Sequence, residues 1–461
     1  MTRNFEITGV HIPEILLPAE NIQLNKWAVV ACDQYTSQPE YWKEVECIVG
    51  DAPSTLHLIF PEIYLEKEDN ANRIEKINNM MQKYINDGTL SPQKPGFIFI
   101  DRKTSSYDGS HCETNTSKIK SRKGLVLSVD LEKYDYSKGS QTLIRATEGT
   151  VIDRLPPRIK IRENALIELP HIMLLIDDPL KTVIEPLTDF IKNQEKLYAV
   201  KLMMNGGSIL SFKIDDDKLL TQVLDALEKL ADPKKFKERY GLGSDEGVLL
   251  FAAGDGNHSL AAAKGHWENI KKTISTVEQQ SHPSRYALVE VVNVHDEGLD
   301  FEPIHRVLFN VDYELLLKEM TAYFCECSPY YKIFASKENM IKMLEEYRND
   351  KKSHFLSFVT ERGYGIITVT NPKCNLEVGT LQTFLDDYLK MNTEMKIDYI
   401  HGEEVVASLG SEKGNMGFFL PPMNKNDLFK TVILDGALPR KTFSMGEAEE
   451  KRFYLECKKI R

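Results

Sequence analysis

The sequence predicts an α/β (α+β) protein built from mixed sheets with flanking helices. Three observations carry that prediction. Apolar runs of strand length alternate with segments of helical periodicity, a buried run enters a glycine turn and then a helix at 247–267, and a hairpin-then-helix order occurs twice. At 461 residues and 42% hydrophobic content the chain can bury a sizeable core and divide into lobes. The apolar pattern breaks at NVHDEGLDFEP, 293–303, which places a core at 1–300 and a C-terminal α+β lobe at 301–461.

In chain order, KWAVVACDQY (26–35) reads as a short buried strand with a polar end. DNANRIEKINNMMQKYINDG carries Ile74, Ile77, Met81 and Ile85 at helical spacing and closes on a glycine. GFIFIDR and LVLSVDL read as strands, and the polar 101–124 between them as a long loop or mobile lid. VKLMMNGGSILSFKID (200–215) is a hairpin turning at Gly206 and Gly207, and the aspartates opening DDDKLLTQVLDALEKLA suit a helix N-terminus. HFLSFVTERGYGIITVT followed by LQTFLDDYLKM repeats that order. Each unit is then followed by a strand, a glycine turn and a helix, LLFAAGDGNHSLAAA in one and IDYIHGEEVVASLG in the other, the pattern of a diverged internal duplication.

Composition excludes several classes. A net charge of −11 disfavours a phosphate-backbone footprint, so nucleic acid is not an expected partner. Seven scattered cysteines without a CxxC suggest neither a disulfide framework nor a thiolate zinc site, and no HExxH spacing appears. The N-terminus lacks an apolar h-region, and no apolar run approaches the roughly 18–20 residues that span a bilayer. These features predict a cytoplasmic chain with no membrane partner.

The candidate chemistry begins at VLLFAA, a run too short for a helix, leading into Gly254, Asp255, Gly256, Asn257, His258 and Ser259 and then into good helix formers. Such a turn presents free N–H groups and the positive end of a helix dipole to an anion. Its glycines permit close approach, Asn257 or Ser259 can cap the helix, and His258 adds a donor. The same residues also make an ordinary tight turn, and the lysine of a P-loop is absent. RATEGTVIDRLPPRIKIRENA (145–165) concentrates Arg145, Glu148, Arg154, Arg158, Lys160 and Arg162 in what reads as a partly extended segment stiffened by Pro156 and Pro157. It serves either as part of an anion pocket or as a solvated edge strand. Cys32, Asp33 and Gln34 stand where a strand ends. Asp33 suits Mg²⁺ or general-base work there, while Cys32 is either a nucleophile or core. His305 and Arg306 in FEPIHRVLF, and His401 beside a glycine, complete the set.

ACDQYTSQPEYW, ATEGTVIDRLPPR, GDGNHSLAAAK, FEPIHRVLF and LPRKTFSMGEA together resemble the bacterial and archaeal family filed as domain of unknown function 1015. That family's central turn is similar to the phosphate motif of the ParB and sulfiredoxin superfamily, which includes free-serine kinases. The resemblance implies a ParB/sulfiredoxin-like nucleotide-binding core that handles ATP or ADP. Asp255, Gly256, Asn257 and His258 occupy the motif. Ser259 stands where an arginine is expected, so Arg306, Arg285 or the 154–162 cluster would have to supply that contact.

The resulting expectation is a phosphotransferase that binds nucleotide at 254–259, with Arg154, Arg158 and Arg306 on the phosphates and Mg²⁺ bridging them. Asp33 or Glu148 would accept the proton of a small hydroxylated metabolite, free L-serine foremost, and His258 would assist. The rivals are a non-catalytic nucleotide-responsive module and a thiol enzyme using Cys32 with His258. Homo-oligomerisation is left open.

Overall fold

A computed structural model describes residues 2–65, 70–106, 118–243, 246–347 and 349–461. The fold is mixed α+β and divides into two units, Met1–Asp300 with Met445–Arg461, and Phe301–Ser444. The second unit is thus inserted into the first, and Met445–Arg461, expected with the C-terminal lobe, belongs to the first.

The first unit is organised by a ten-stranded sheet. Its strands are β1 (Val10–His11), β2 (Phe97–Ser106), β3 (Lys118–Asp130), β4 (Tyr134–Asp135), β5 (Ile144–Ala146), β6 (Met173–Ile176), β7 (Tyr198–Lys201), β8 (Ser208–Ile214), β9 (Phe251–Asp255) and β10 (Tyr286–Asn293). They lie in the order β7-β8-β2-β3-β10-β6-β9-β5-β4, with β1 paired to β3. Pairs β6–β10 and β9–β5 are parallel, whereas β6 and β9 are antiparallel, with an irregularity at Met173 and Leu174.

Period-two alternation sends Phe97, Phe99, Leu125 and Leu127 to one face and Ile98, Ile100 and Val126 to the other. Each face is covered by helices. On one, α1 (Asn70–Asn86) contributes Ile77, Met81 and Tyr84. On the other, α3 (Asp217–Leu230) and α4 (Asn257–Lys271) contribute Leu220, Leu224, Leu227, Leu260 and Trp267. Between these in sequence, the short helix α2 (Leu155–Arg162) carries the arginine cluster.

Several expectations change. The span 101–124 is largely hairpin: β2 and β3 pair from Ile98 with Val126 to Ser106 with Lys118. Only 107–117 of the expected lid lies outside the described residues. A polar run can form strand when its ladder continues an already buried pair, because β preference depends on context. The 145–165 cluster is not extended over its proline pair. Pro156 and Pro157 occupy the first turn of α2, where their missing N–H groups cost nothing. KWAVVACDQY contains only the two-residue strand Val29–Val30. The hairpin at Gly206 and Gly207 is present, with Gly207 at φ 78° and a hypothetical Cβ 2.1 Å from the Lys103 carbonyl oxygen.

The C-terminal segment is fixed by a buried ionic network. Arg452 pairs with Glu290 on β10 and, at 2.6 Å, with Glu456, and its Nε donates to the Pro170 carbonyl at 2.9 Å. Tyr198 donates its hydroxyl to Glu456, and neither glutamate is more than 1% exposed. Phe453 and Tyr454 pair with Val30 and Val29, and Trp27 Nε1 donates to the Leu455 carbonyl at 3.1 Å.

The second unit holds a six-stranded antiparallel sheet of β11 (His305–Phe309), β12 (Tyr330–Phe334), β13 (Ser353–Thr360), β14 (Gly363–Thr370), β15 (Lys396–Ile400) and β16 (Asn415–Phe419). Their order is β12-β14-β13-β16-β11-β15, and helix α5 (Glu377–Met391) follows the β13–β14 hairpin.

Candidate functional site

The turn at 254–259 is built by constraints that only glycine meets. A Cβ on Gly254 would lie 2.8 Å from Leu175 and 2.9 Å from the Met445 methyl. Gly256 has φ 74°, and a Cβ there would lie 2.9 Å from the Ile172 Cα. Gly256 itself is the N-cap of α4, without a side-chain cap, so neither Asn257 nor Ser259 plays the capping role expected of it. The N–H groups of the helix's first turn therefore have no capping side chain. Asp255 accepts the Gly256 N–H at 3.0 Å and lies 3.4 Å from Lys451 Nζ. Asn257 approaches Thr147 Oγ1 at 3.5 Å, and its buried Oδ1 has no partner among the described residues.

His258 Nε2 accepts the Val151 N–H at 3.3 Å, which leaves the ring proton on Nδ1. Burial, then the charges of Arg158 and Arg154, push its pKa down to about 4 against the opposing pull of Asp33. At neutral pH His258 is an uncharged donor. Ser259 Oγ lies 2.9 Å from His171 Nε2.

The short ladder between Val29–Val30 and Phe453–Tyr454 brings Cys32 and Asp33 to this turn. Tyr454 accepts the Cys32 N–H at 3.2 Å and lies 2.7 Å from His171 Nδ1, while Asp33 Oδ2 is 3.6 Å from His171 Nε2. Burial alone would raise the Asp33 carboxyl. His171, a 2.9 Å hydrogen bond from Gln34 and the charge of Lys451 outweigh it and hold the group below the usual carboxylate range. Asp33 is therefore an ionised acceptor. Burial and the neighbouring Asp33 push the Cys32 thiol far above its ordinary value, which removes the thiolate that a thiol enzyme needs.

The arginines separate. Arg158 pairs with Glu62 and donates to the Arg154 carbonyl at 2.6 Å, and Arg154 is exposed. Both act electrostatically on His258, so they flank the turn, but the charge of Arg158 is already matched. Arg162 pairs with Glu168 at 2.6 Å. Arg285, an alternative source of the missing contact, is held bidentately by Asp130 at 2.9 and 2.7 Å. Arg306 belongs to the second unit and is wholly buried there. Its guanidinium binds the Ile304 carbonyl, Gln382 Oε1 at 3.2 Å and the Arg440 carbonyl at 3.2 Å, so it serves that unit's core. His305 accepts the Leu420 N–H at 3.0 Å in the same core. Glu148 is half-buried on the segment between β5 and α2.

Beneath the turn lies a cavity of about 120 Å³. Cys32, Glu62, Arg158, His171, Ser259 and Tyr454 supply polar groups to its lining, and Leu58, Phe60, Met81, Ile161, Ile167 and Leu288 supply apolar walls. Sequence reasoning missed Glu62, His171, Lys451 and Tyr454. His171 had a faint signal, a histidine between Pro170 and the fully buried strand β6, whereas nothing local marks the other three.

The model of a family described as protein of unknown function (DUF1015) matches residues 16–388. None of the curated proteins compared with the chain matches it. Among solved structures, a conserved hypothetical protein from Pyrococcus furiosus is 13% identical with a TM-score of 0.35, covering 73% of this chain and 95% of its own. A free serine kinase solved in complex with ADP is 11% identical with a TM-score of 0.38, covering 78% and 98%. SbnI from Staphylococcus aureus with a C-terminal truncation is 10% identical with a TM-score of 0.32, covering 70% and 83%. Among the described residues, no helix is long and apolar enough to cross a membrane.

Proposed function

We propose, for a chain that belongs to the DUF1015 family, that it is a nucleotide-dependent phosphotransferase acting on a small hydroxylated metabolite. Free L-serine is the first acceptor to try. The observation that carries this reading is the pairing of a left-handed Gly256, where Ile172 leaves no room for a Cβ, with an uncapped helix start beside Lys451. Backbone N–H groups in that arrangement hold phosphate oxygens. Lys451 would add positive charge where the expected arginine of the turn is a serine. Arg154 and Arg158 would contribute at longer range.

Asp33 is the base of this reading, being ionised and beside the turn, and neutral His258 donates from Nδ1. Mg²⁺ is commonly held by one or two carboxylates together with phosphate oxygens. Asp255, 3.4 Å from Lys451, is a hard oxygen donor of that kind and fits it. When bound, Mg²⁺ would neutralise the phosphate oxygens.

ATP or ADP with Mg²⁺ should raise the melting temperature, since a ligand of the folded state alone adds about 2.7 kcal/mol at a hundredfold excess over Kd. His258→Ala should shrink the shift. Gly256→Val should abolish it while also lowering the starting melting temperature, because a β-branched residue at φ 74° is strained. No shift at millimolar nucleotide would refute the reading. A shift without phosphorylation of serine or any acceptor in a broad metabolite panel would leave a nucleotide-responsive module.

A further inference from the structure

We propose that Ser259 and His171 form a nucleophile–base pair that accepts an acyl group from esters of short apolar carboxylic acids. This activity needs no nucleotide. It uses the same turn as the phosphotransferase reading but stands independently of it.

The pair has the required geometry. Ser259 Oγ lies 2.9 Å from His171 Nε2, and both side chains line the cavity. His171 is 6% exposed, stands edge-on to the Tyr454 ring and has Nδ1 2.7 Å from the Tyr454 hydroxyl oxygen, so its orientation is fixed. With the Nδ1 proton donated to that oxygen, Nε2 is left to accept the Ser259 hydroxyl proton. Asp33 Oδ2, 3.6 Å from Nε2, stabilises the imidazolium as it forms. Ser259 also sits in the first turn of α4, where uncapped backbone N–H groups can receive a developing oxyanion.

The cavity sets the substrate class. Leu58, Phe60, Met81, Ile161 and Ile167 give the acyl group apolar walls. Its volume of about 120 Å³ limits that group to a few carbons, since an apolar cavity of ~150 Å³ accommodates benzene.

The step balances without a redox partner. Ser259 Oγ attacks the ester carbonyl carbon while its proton passes to His171 Nε2. The bond from that carbon to the alkoxy oxygen then breaks, and the alcohol leaves with the proton. Water next attacks the acyl-serine, His171 takes and returns a proton again, and the carboxylic acid is released.

The test is to treat the full chain with a fluorophosphonate, map the adduct by mass spectrometry and follow p-nitrophenyl butyrate hydrolysis in parallel. The expected result is one adduct, on Ser259, with hydrolysis lost in Ser259→Ala and slowed on the order of 10²-fold or more in His171→Gln. Hydrolysis should fall as the acyl chain lengthens from butyrate to decanoate. An adduct elsewhere, no adduct on the wild-type chain, or hydrolysis unchanged in Ser259→Ala overturns the proposal. Mapping on the wild-type chain decides the matter even where a variant folds poorly. Labelling of Ser259 without any nucleotide-induced melting shift would refute the nucleotide reading alone, and a shift without labelling would refute this one alone.

Discussion

Arg452→Met is expected to destabilise the first unit by about 3–5 kcal/mol, the usual cost of removing one partner from a buried ionic network. The substitution takes a charged partner from two carboxylates at once. Glu290 and Glu456 are no more than 1% exposed and both face Arg452, and the Pro170 carbonyl loses a donor as well. Arg122 remains paired with Glu290 at 3.4 Å and offsets part of that loss, while Glu456 keeps, among the described residues, the Tyr198 hydroxyl. Urea denaturation followed by tryptophan fluorescence is the measurement, because Trp27, Trp42 and Trp267 all lie fully buried in the first unit. The signal therefore reports that unit and not the second. A midpoint unchanged from wild type would mean that water reaches the two glutamates. Adding Glu290→Gln to Arg452→Met should recover part of the loss, because residues in one network couple non-additively.

Asp33→Asn is expected to cut phosphoryl transfer by about 10²- to 10⁴-fold while leaving the nucleotide-induced melting shift in place. A base acts on the attacking hydroxyl, whereas the turn amides hold the phosphates. The effect has a pH signature with a definite sign. The wild-type carboxyl titrates below its unfolded value, so the base should stay ionised as pH falls to the ordinary aspartate pKa and be lost only below it. The same depressed pKa stabilises the wild-type fold above that pH and is lost as pH falls through the folded value, an increment that Asp33→Asn lacks. Turnover equal to wild type would move the base to another residue, with Glu148 the next candidate.

The local parts of this site were legible, and the assembled parts were not. VLLFAA followed by Gly254 and Gly256 announced a strand, a turn and a helix because each depends on neighbours a few residues away. The hairpin at Gly206 and Gly207 was legible for the same reason. Tyr454 meets His171 across 283 positions, and Lys451 reaches Asp255 from the far side of the inserted unit, so no window of sequence contains either partnership. Arg306 stood out because an arginine in an apolar strand looks poised for a ligand, and within its own unit the Ile304 and Arg440 carbonyls and Gln382 accept from it, partners that no local window shows. The prolines of 155–162 misled. Stiffness suggested an extended segment, although the first turn of a helix tolerates proline equally.

Because Met445–Arg461 completes the first unit after the inserted second one, synthesis order imposes a check on the finished molecule. The ribosome makes β9, the turn and Asp33 long before it makes Lys451, Arg452 and Tyr454. A nascent chain halted within the insertion thus has an unclosed first unit, with Glu290 lacking Arg452 and His171 lacking the Tyr454 hydroxyl. Folding of that unit must then wait on contacts as distant as Trp27 to Leu455, 428 positions apart, the kind of long-range closure that slows folding. A chain halted before Lys451 would therefore lack the contacts that Lys451, Arg452 and Tyr454 make to Asp255, Glu290 and His171.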